Sequence, residues 1–210
     1  MAIFDTPTEF RSTVNLRAAT TLTFRDGQIA KSALIASSLG AFPVRIDTLK
    51  VWDDLSANLP GTAATDDLAI IEGTFGTDAP TIQTSDAKAT TVTQRLRYQY
   101  PLPENYVAGD DVQVRIRGGM ITTVSDTTAT VDVECYAHDG DGGVGSDLCA
   151  TAAQTINSLT KADKDFVITT TGLTPGTVLD IRVTIAITDG ATGTAVIGEI
   201  VSPVMLLDVR

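Results

Sequence analysis

The run Asp110-Asp111-Val112-Gln113-Val114-Arg115-Ile116-Arg117-Gly118-Gly119 alternates apolar and polar residues, and Thr130-Val131-Asp132-Val133-Glu134-Cys135-Tyr136 repeats the alternation shortly after it. A period of two places Val112, Val114 and Ile116 on one face and Gln113, Arg115 and Arg117 on the other. That is the pattern of a strand lying between a core and water. The second run sets Val131, Val133 and Cys135 against Thr130, Asp132 and Glu134. If the two runs are neighbours, Arg115 and Arg117 face Asp132 and Glu134 across the ladder, and each such pair contributes ~0.2–1 kcal/mol.

The same reading extends outward. Val178 to Ile187 is the longest clean alternation, with Leu179, Ile181, Val183, Ile185 and Ile187 on one face. Thr91 to Tyr100 alternates and is stopped by Pro101-Leu102-Pro103, because proline cannot donate to a ladder. Pro43 to Trp52 reads as a strand whose parity changes between Ile46 and Leu49, as at a bulge. Leu68 to Gly76, with Ile70, Ile71 and Phe75, reads as a further strand. So do Asp165 to Thr169, Ala195 to Val201 and Val204 to Val209, and Leu148 to Thr155 reads as extended. Thr77 to Thr90 is polar and turn-rich. Roughly eight to ten short strands separated by turn signals predict an all-β, jelly-roll-like β-sandwich over residues 41–210.

Residues 1–40 differ in composition and predict an extended N-terminal arm and connector. Phe4, Phe10, Leu16, Leu22 and Phe24 are too irregularly spaced for one helix face. Large anchors in polar sequence gain most by docking on a preformed surface, so these five are candidate contacts to a neighbouring subunit or partner. The competing reading packs the arm back on its own domain as an edge strand. Ile29 to Gly40 reads equally as a short helix capped by Gly40 or as an extended small-residue segment.

The chain has 210 residues, 43% of them hydrophobic, and Thr, Val and Ile are frequent, as β structure favours. Its net charge of −11 argues against a nucleic-acid partner, since a negative surface repels phosphate backbones. The opening residues carry no basic region followed by an apolar run, and no segment is long enough to span a bilayer. Synthesis in a cytoplasm and no membrane partner are therefore expected. Of the two cysteines, Cys135 on the apolar face of its strand reads as a buried thiol; a bridge to Cys149 is the alternative.

Catalytic motifs are missing from the sequence. There is no nucleophile elbow, P-loop or dinucleotide fingerprint, and the single His138 cannot supply the usual metal cluster. Asp53-Asp54, Asp66-Asp67 and Asp110-Asp111 fall at strand ends and in loops, where Asp competes for turn hydrogen bonds. The expectation is a protein without enzymatic activity or cofactor. His138-Asp139-Gly140-Asp141-Gly142-Gly143 offers Asp139 and Asp141 as candidate calcium ligands, set against the simpler reading of a glycine-rich hairpin loop. Trp52 reads as a core or interface anchor rather than a sugar-stacking platform.

Several stretches carry a resemblance. They are Leu102 to Gly109, Val112 to Arg117, Gly119 to Asp126, Ala129 to Tyr136, Gly145 to Leu159, and Leu206 to Arg210. In these the chain resembles a group of tailed-bacteriophage virion proteins, encoded near capsid genes and held to decorate the head. No functional residue of that group can be placed on this sequence. The resemblance implies a structural protein on the virion capsid surface: a decoration or cement protein that binds and stabilises the lattice of the major capsid protein. A homo-oligomer is expected, and a trimer suits a three-fold lattice position. The alternative is a virion-surface carbohydrate- or receptor-binding β domain, associated with tail or fibre. Aromatics at 5% count against an aromatic-lined groove.

Overall fold

The computed structural model describes residues 39–191 and 193–209. These form an antiparallel, jelly-roll-like β-sandwich with no α-helix among them. In chain order the strands are β1 (Gly40–Pro43), β2 (Ala69–Ile71), β3 (Thr81–Gln83), β4 (Thr91–Pro101), β5 (Val112–Met120) and β6 (Thr128–Ala137). They continue with β7 (Gln154–Thr155), β8 (Ala162–Ile168), β9 (Val178–Thr188), β10 (Gly198–Ile200) and β11 (Val204–Leu207). Sheet A runs β1-β11-β5-β10-β3-β2, with β8 also paired to β5, and sheet B runs β4-β9-β6-β7. The arm anchors Phe4, Phe10, Leu16, Leu22 and Phe24, and nearly all of the 29–40 segment, lie outside the described residues.

Strand β5 is the hub of sheet A. Its residues 112–115 pair with β11 and 118–120 with β10, so those two strands share one edge and β8 takes the other. The inner faces are the apolar sets of the alternating runs. Val112, Val114, Ile116, Phe166, Ile200, Met205 and Leu207 from sheet A meet Leu96, Tyr98, Val131, Val133, Cys135 and the β9 row from sheet B. Along β9, Leu179, Ile181, Val183, Ile185 and Ile187 are all fully buried. Burying each such side chain contributes about 1.5–3 kcal/mol. The polar groups drawn inside are paired. The Gln94 carboxamide accepts the Ser85 N–H at 2.7 Å and donates to the Ala64 carbonyl. Glu199 is held by Gln83 Nε2 at 2.7 Å and by the Lys161 ammonium.

Three sequence expectations are corrected. First, β5 and β6 are not neighbours. The chain between them crosses from sheet A to sheet B, and nothing in the intervening sequence forces a tight hairpin. Arg115 and Arg117 do face carboxylates, but those of β8. Arg115 meets Asp165 through two contacts of 2.7 Å, and Arg117 Nη1 meets Asp163 Oδ1 at 3.1 Å. Burial tends to raise the Asp165 carboxyl, but the hydrogen bond from Arg115 outweighs it and holds the group below its usual range.

Second, Pro43 to Trp52 is not a strand. Strand β1 ends at Pro43 and a 3-10 turn follows at Ile46–Thr48, fixed by Arg45 Nη2 on Asp47 Oδ2 at 2.6 Å and by the Thr48 hydroxyl on the Arg45 carbonyl. The parity change between Ile46 and Leu49 marks this turn. Third, β2 stops at Ile71 and Phe75 stands on a loop. The Thr74 carbonyl accepts the N–H groups of Thr77 and Asp78, and Gly73 and Gly76 take φ of +69° and +82°. Strand β3, inside the polar 77–90 stretch, offers only Ile82 to the core, too short a run to show periodicity.

The β9 row generates the stability prediction. Val183→Asp leaves a carboxylate without a partner in the centre of the core, a cost of several kcal/mol and comparable to the stability of a whole domain. The variant is expected in the insoluble fraction without a cooperative melting transition. A soluble, cooperatively melting variant contradicts the assigned facing.

Candidate functional site

The outer face of sheet B is built by the other half of the same alternation. In register, Arg97 lies beside Arg182 and Gln99 beside Asp180 on the β4–β9 pair, while Glu134 lies beside Arg182 and Tyr136 beside Asp180 on the β6–β9 pair. Three strands thus bring arginines, carboxylates and a tyrosine onto one surface. The free edge of β4 is covered by the loop that follows the 3-10 turn. Lys50 and Arg97 exchange backbone hydrogen bonds at 2.9 and 3.0 Å, and the Arg95 N–H reaches the Asp66 carbonyl at 2.8 Å. This pairing carries Trp52 beside Arg95.

Trp52 is half-buried and fixed by its indole N–H on Asp66 Oδ2 at 2.9 Å. The guanidinium carbons of Arg95 and Arg182 sit 5.2 and 5.4 Å from the ring centroid, within cation–π range. Beside it opens a cavity of about 210 Å³ lined by Trp52, Arg97, Tyr136, Val144, Asp180 and Arg182. It is smaller than the pockets that enclose drug-sized ligands, and it suits one small polar ring.

The charged walls are preset by mutual pairing. Arg97 Nε donates to Asp180 Oδ1 at 2.7 Å and its Nη2 to Oδ2, a bidentate clamp. The Asp180 side chain is only 8% exposed and that of Arg97 32%. Burial alone would raise the Asp180 carboxyl, but the hydrogen bonds and charge of Arg97, with His138 and Gln99 behind them, hold it below the usual carboxylate range. His138 Nε2 lies 3.6 Å from Asp180 Oδ2 and 3.3 Å from Gln99 Nε2. Arg182 Nε donates to Glu134 Oε2 at 2.5 Å. On the segment that pairs with Arg95, Asp67 Oδ1 is buried without a hydrogen-bond partner, and burial together with Asp66 and Asp53 raises that carboxyl.

The candidate metal ligands fall elsewhere. Asp139 Oδ1 accepts the N–H groups of Asp141 at 2.8 Å and Gly143 at 2.9 Å, which closes the hairpin loop on itself and lowers the carboxyl. Asp141 is exposed on that loop. Among the described residues no group of three or more His, Cys, Asp and Glu is placed to hold a metal. A larger cleft of about 440 Å³ between Leu59, Ile70, Ile71, Asp47 and Glu72 lacks both an aromatic wall and an arginine. No helix among the described residues is long and apolar enough to cross a membrane.

No family model and no curated protein matches this sequence. Solved structures with a similar sheet arrangement include the CBM22-1 xylan-binding domain from Paenibacillus barcinonensis Xyn10C. It is 9% identical with a TM-score of 0.39, over 81% of this chain and 99% of that one. The xylan-binding module CBM15 is 12% identical with a TM-score of 0.40, over 82% and 99%. The N-terminal CBM22-1-GH10 modules of Clostridium thermocellum endo-1,4-beta-D-xylanase 10B, complexed with xylohexaose, are 9% identical with a TM-score of 0.44, over 80% and 28%. This is a likeness of fold, and it says nothing of what the present chain binds.

The Arg97–Asp180 clamp has a pH signature. A carboxyl lowered in the folded state stabilises it at pH above the unfolded value of about 3.9, and that contribution is lost as pH falls through the folded value. Arg97→Gln strands a buried carboxylate and is expected to cost about 1–3 kcal/mol at neutral pH, less than for a fully enclosed pair because Arg97 is partly solvated. The cost should shrink below about pH 4 as Asp180 takes up a proton. Denaturant melts of both proteins across this range check it. A difference that is constant with pH contradicts the clamp.

Proposed function

We propose that the chain is a saccharide-binding β-sandwich domain carried on a virion surface, with its binding site on the outer face of sheet B. The observation that carries this is the cavity walled by Trp52 and Tyr136 and floored by arginine–carboxylate pairs. A sugar ring presents an apolar face to an aromatic side chain and hydroxyls to donors and acceptors around its rim. The low aromatic content is no obstacle, because two rings placed by the fold supply the walls.

Binding rather than cleavage is supported by the pairing of the carboxylate inside the cavity. A glycosidase needs one carboxylic acid that holds a proton and a second carboxylate across the bond. Here Asp180, the carboxylate that lines the cavity, is clamped by Arg97 in its charged form. The virion setting is supported by the sequence resemblance of Leu102 to Gly109, Val112 to Arg117, Gly119 to Asp126, Ala129 to Tyr136, Gly145 to Leu159 and Leu206 to Arg210 to phage head proteins.

An immobilised oligosaccharide panel tests the reading. Trp52→Ala and Tyr136→Ala should each weaken the strongest interaction about tenfold, as expected for losing an aromatic contact together with its burial, while the protein stays folded. Absence of binding to the panel, or binding untouched by either substitution, contradicts it.

A second reading, decoration of the major capsid protein lattice by a homotrimer, is favoured by Phe75. This side chain is fully exposed on the turn braced by Asp78, whose Oδ2 accepts the Thr74 N–H at 3.0 Å. A large aromatic held out on a fixed turn has the form of an interface anchor. On this reading Phe75→Ser abolishes co-sedimentation with capsids and leaves saccharide binding unchanged. Undiminished co-sedimentation of that variant removes Phe75 as the anchor.

A further inference from the structure

Cys135 and Cys149 are both free thiols. Cys135 lies on the core face of β6 and is fully buried, and Cys149 packs half-buried against the same core. Their backbones run side by side. The Leu148 N–H donates to the Cys135 carbonyl at 2.7 Å, and Asp147 Oδ1 accepts the N–H groups of both Cys135 and Cys149, each at 2.9 Å. Two donors on one oxygen cannot be farther apart than twice that distance. The two backbone nitrogens therefore lie within about 5.8 Å of each other, a separation that lets the Cα atoms fall inside the roughly 4.4–6.8 Å that disulfides span. The segment carrying Cys149 also pairs with the far edge of β8, through Ala150 N–H on the Val167 carbonyl at 2.8 Å and Thr169 N–H on the Leu148 carbonyl at 2.7 Å.

We propose that Cys135 and Cys149 form an oxidation site, closing a disulfide that ties β6 of sheet B to the segment lining the edge of sheet A. The oxidant is a low-molecular-weight disulfide such as oxidised glutathione. The Cys149 thiolate, the more accessible of the two, attacks it and forms a mixed disulfide with release of one small thiol. The Cys135 thiolate then attacks Cys149 Sγ and expels the second small thiol. Two protein thiols have lost two electrons and two protons, and the small disulfide has become two thiols. Burial raises the Cys149 thiol and pushes that of Cys135 up to about 12, so the reaction is slow near neutrality and quickens with pH. The bridge stays open in a reducing cytoplasm and closes in an oxidising medium.

The full chain is incubated with oxidised glutathione at about pH 8.5, near the ordinary thiol value, and compared with a dithiothreitol-reduced sample. The expected product is a single chain lighter by two hydrogen atoms, with no thiol titratable in denaturant and with Cys135 and Cys149 in one linked peptide pair. Its melting temperature should rise by roughly 5–10 °C, reversibly on reduction, and the rise should be missing from Cys149→Ser. Two titratable thiols after prolonged incubation, a glutathione adduct that persists on Cys149, or a bridge formed only between chains would each overturn the proposal.

Discussion

Strand β9 must satisfy two opposite demands at once, and the rest of the sandwich follows from how it does so. One face of this strand is five aliphatic side chains without solvent exposure. The other face is Asp180, Arg182 and Thr184, lying between β4 on one side and β6 on the other. A register slip of one residue would carry every aliphatic group to the surface and every charge into the core. The register of three strands is therefore fixed by burial, and the layout of the outer face is fixed with it.

The charges on that face gain specificity from the same constraint. Arg97 and Asp180 come from different strands and meet because β4 and β9 are locked in register, and Glu134 meets Arg182 across the β6–β9 pair for the same reason. These pairs are partly buried, so breaking one strands a desolvated charge, and they hold donors and acceptors in place before a ligand arrives. Sheet A shows the contrasting case. Its Arg115 and Arg117 pair with Asp165 and Asp163 on a surface that carries no aromatic wall, so the same chemistry there serves as surface pairing.

Period-two alternation made β4, β5, β6, β8, β9 and β11 legible, because each has enough residues to show both faces. Strand β3 escaped it, since three residues in a polar stretch cannot display a period, while β7 closes the stretch Leu148 to Thr155 that reads as extended. The partners of β5 and β6 escaped it for a different reason. Alternation reports the face of a side chain and not its neighbouring strand, so Arg115 and Glu134 both read as outward while their partners, Asp165 on β8 and Arg182 on β9, have no local signature. Trp52 was visible as a solitary aromatic, but its place on the sheet depends on the Lys50 and Asp66 backbone reaching the edge of β4, a long-range pairing with no local signature. Arg95, Arg97, Asp180 and Arg182 become a site only once β4 and β9 are adjacent.

The central claim is that the outer face of sheet B is the ligand-binding surface of this domain. Amide chemical-shift mapping by NMR, with the oligosaccharide that binds best, tests it most directly. Shifts confined to residues 95–99, 132–138 and 180–184 and to the Trp52 indole N–H are the predicted result. Shifts on β5 and β8 of sheet A, or none at saturating ligand, would contradict it.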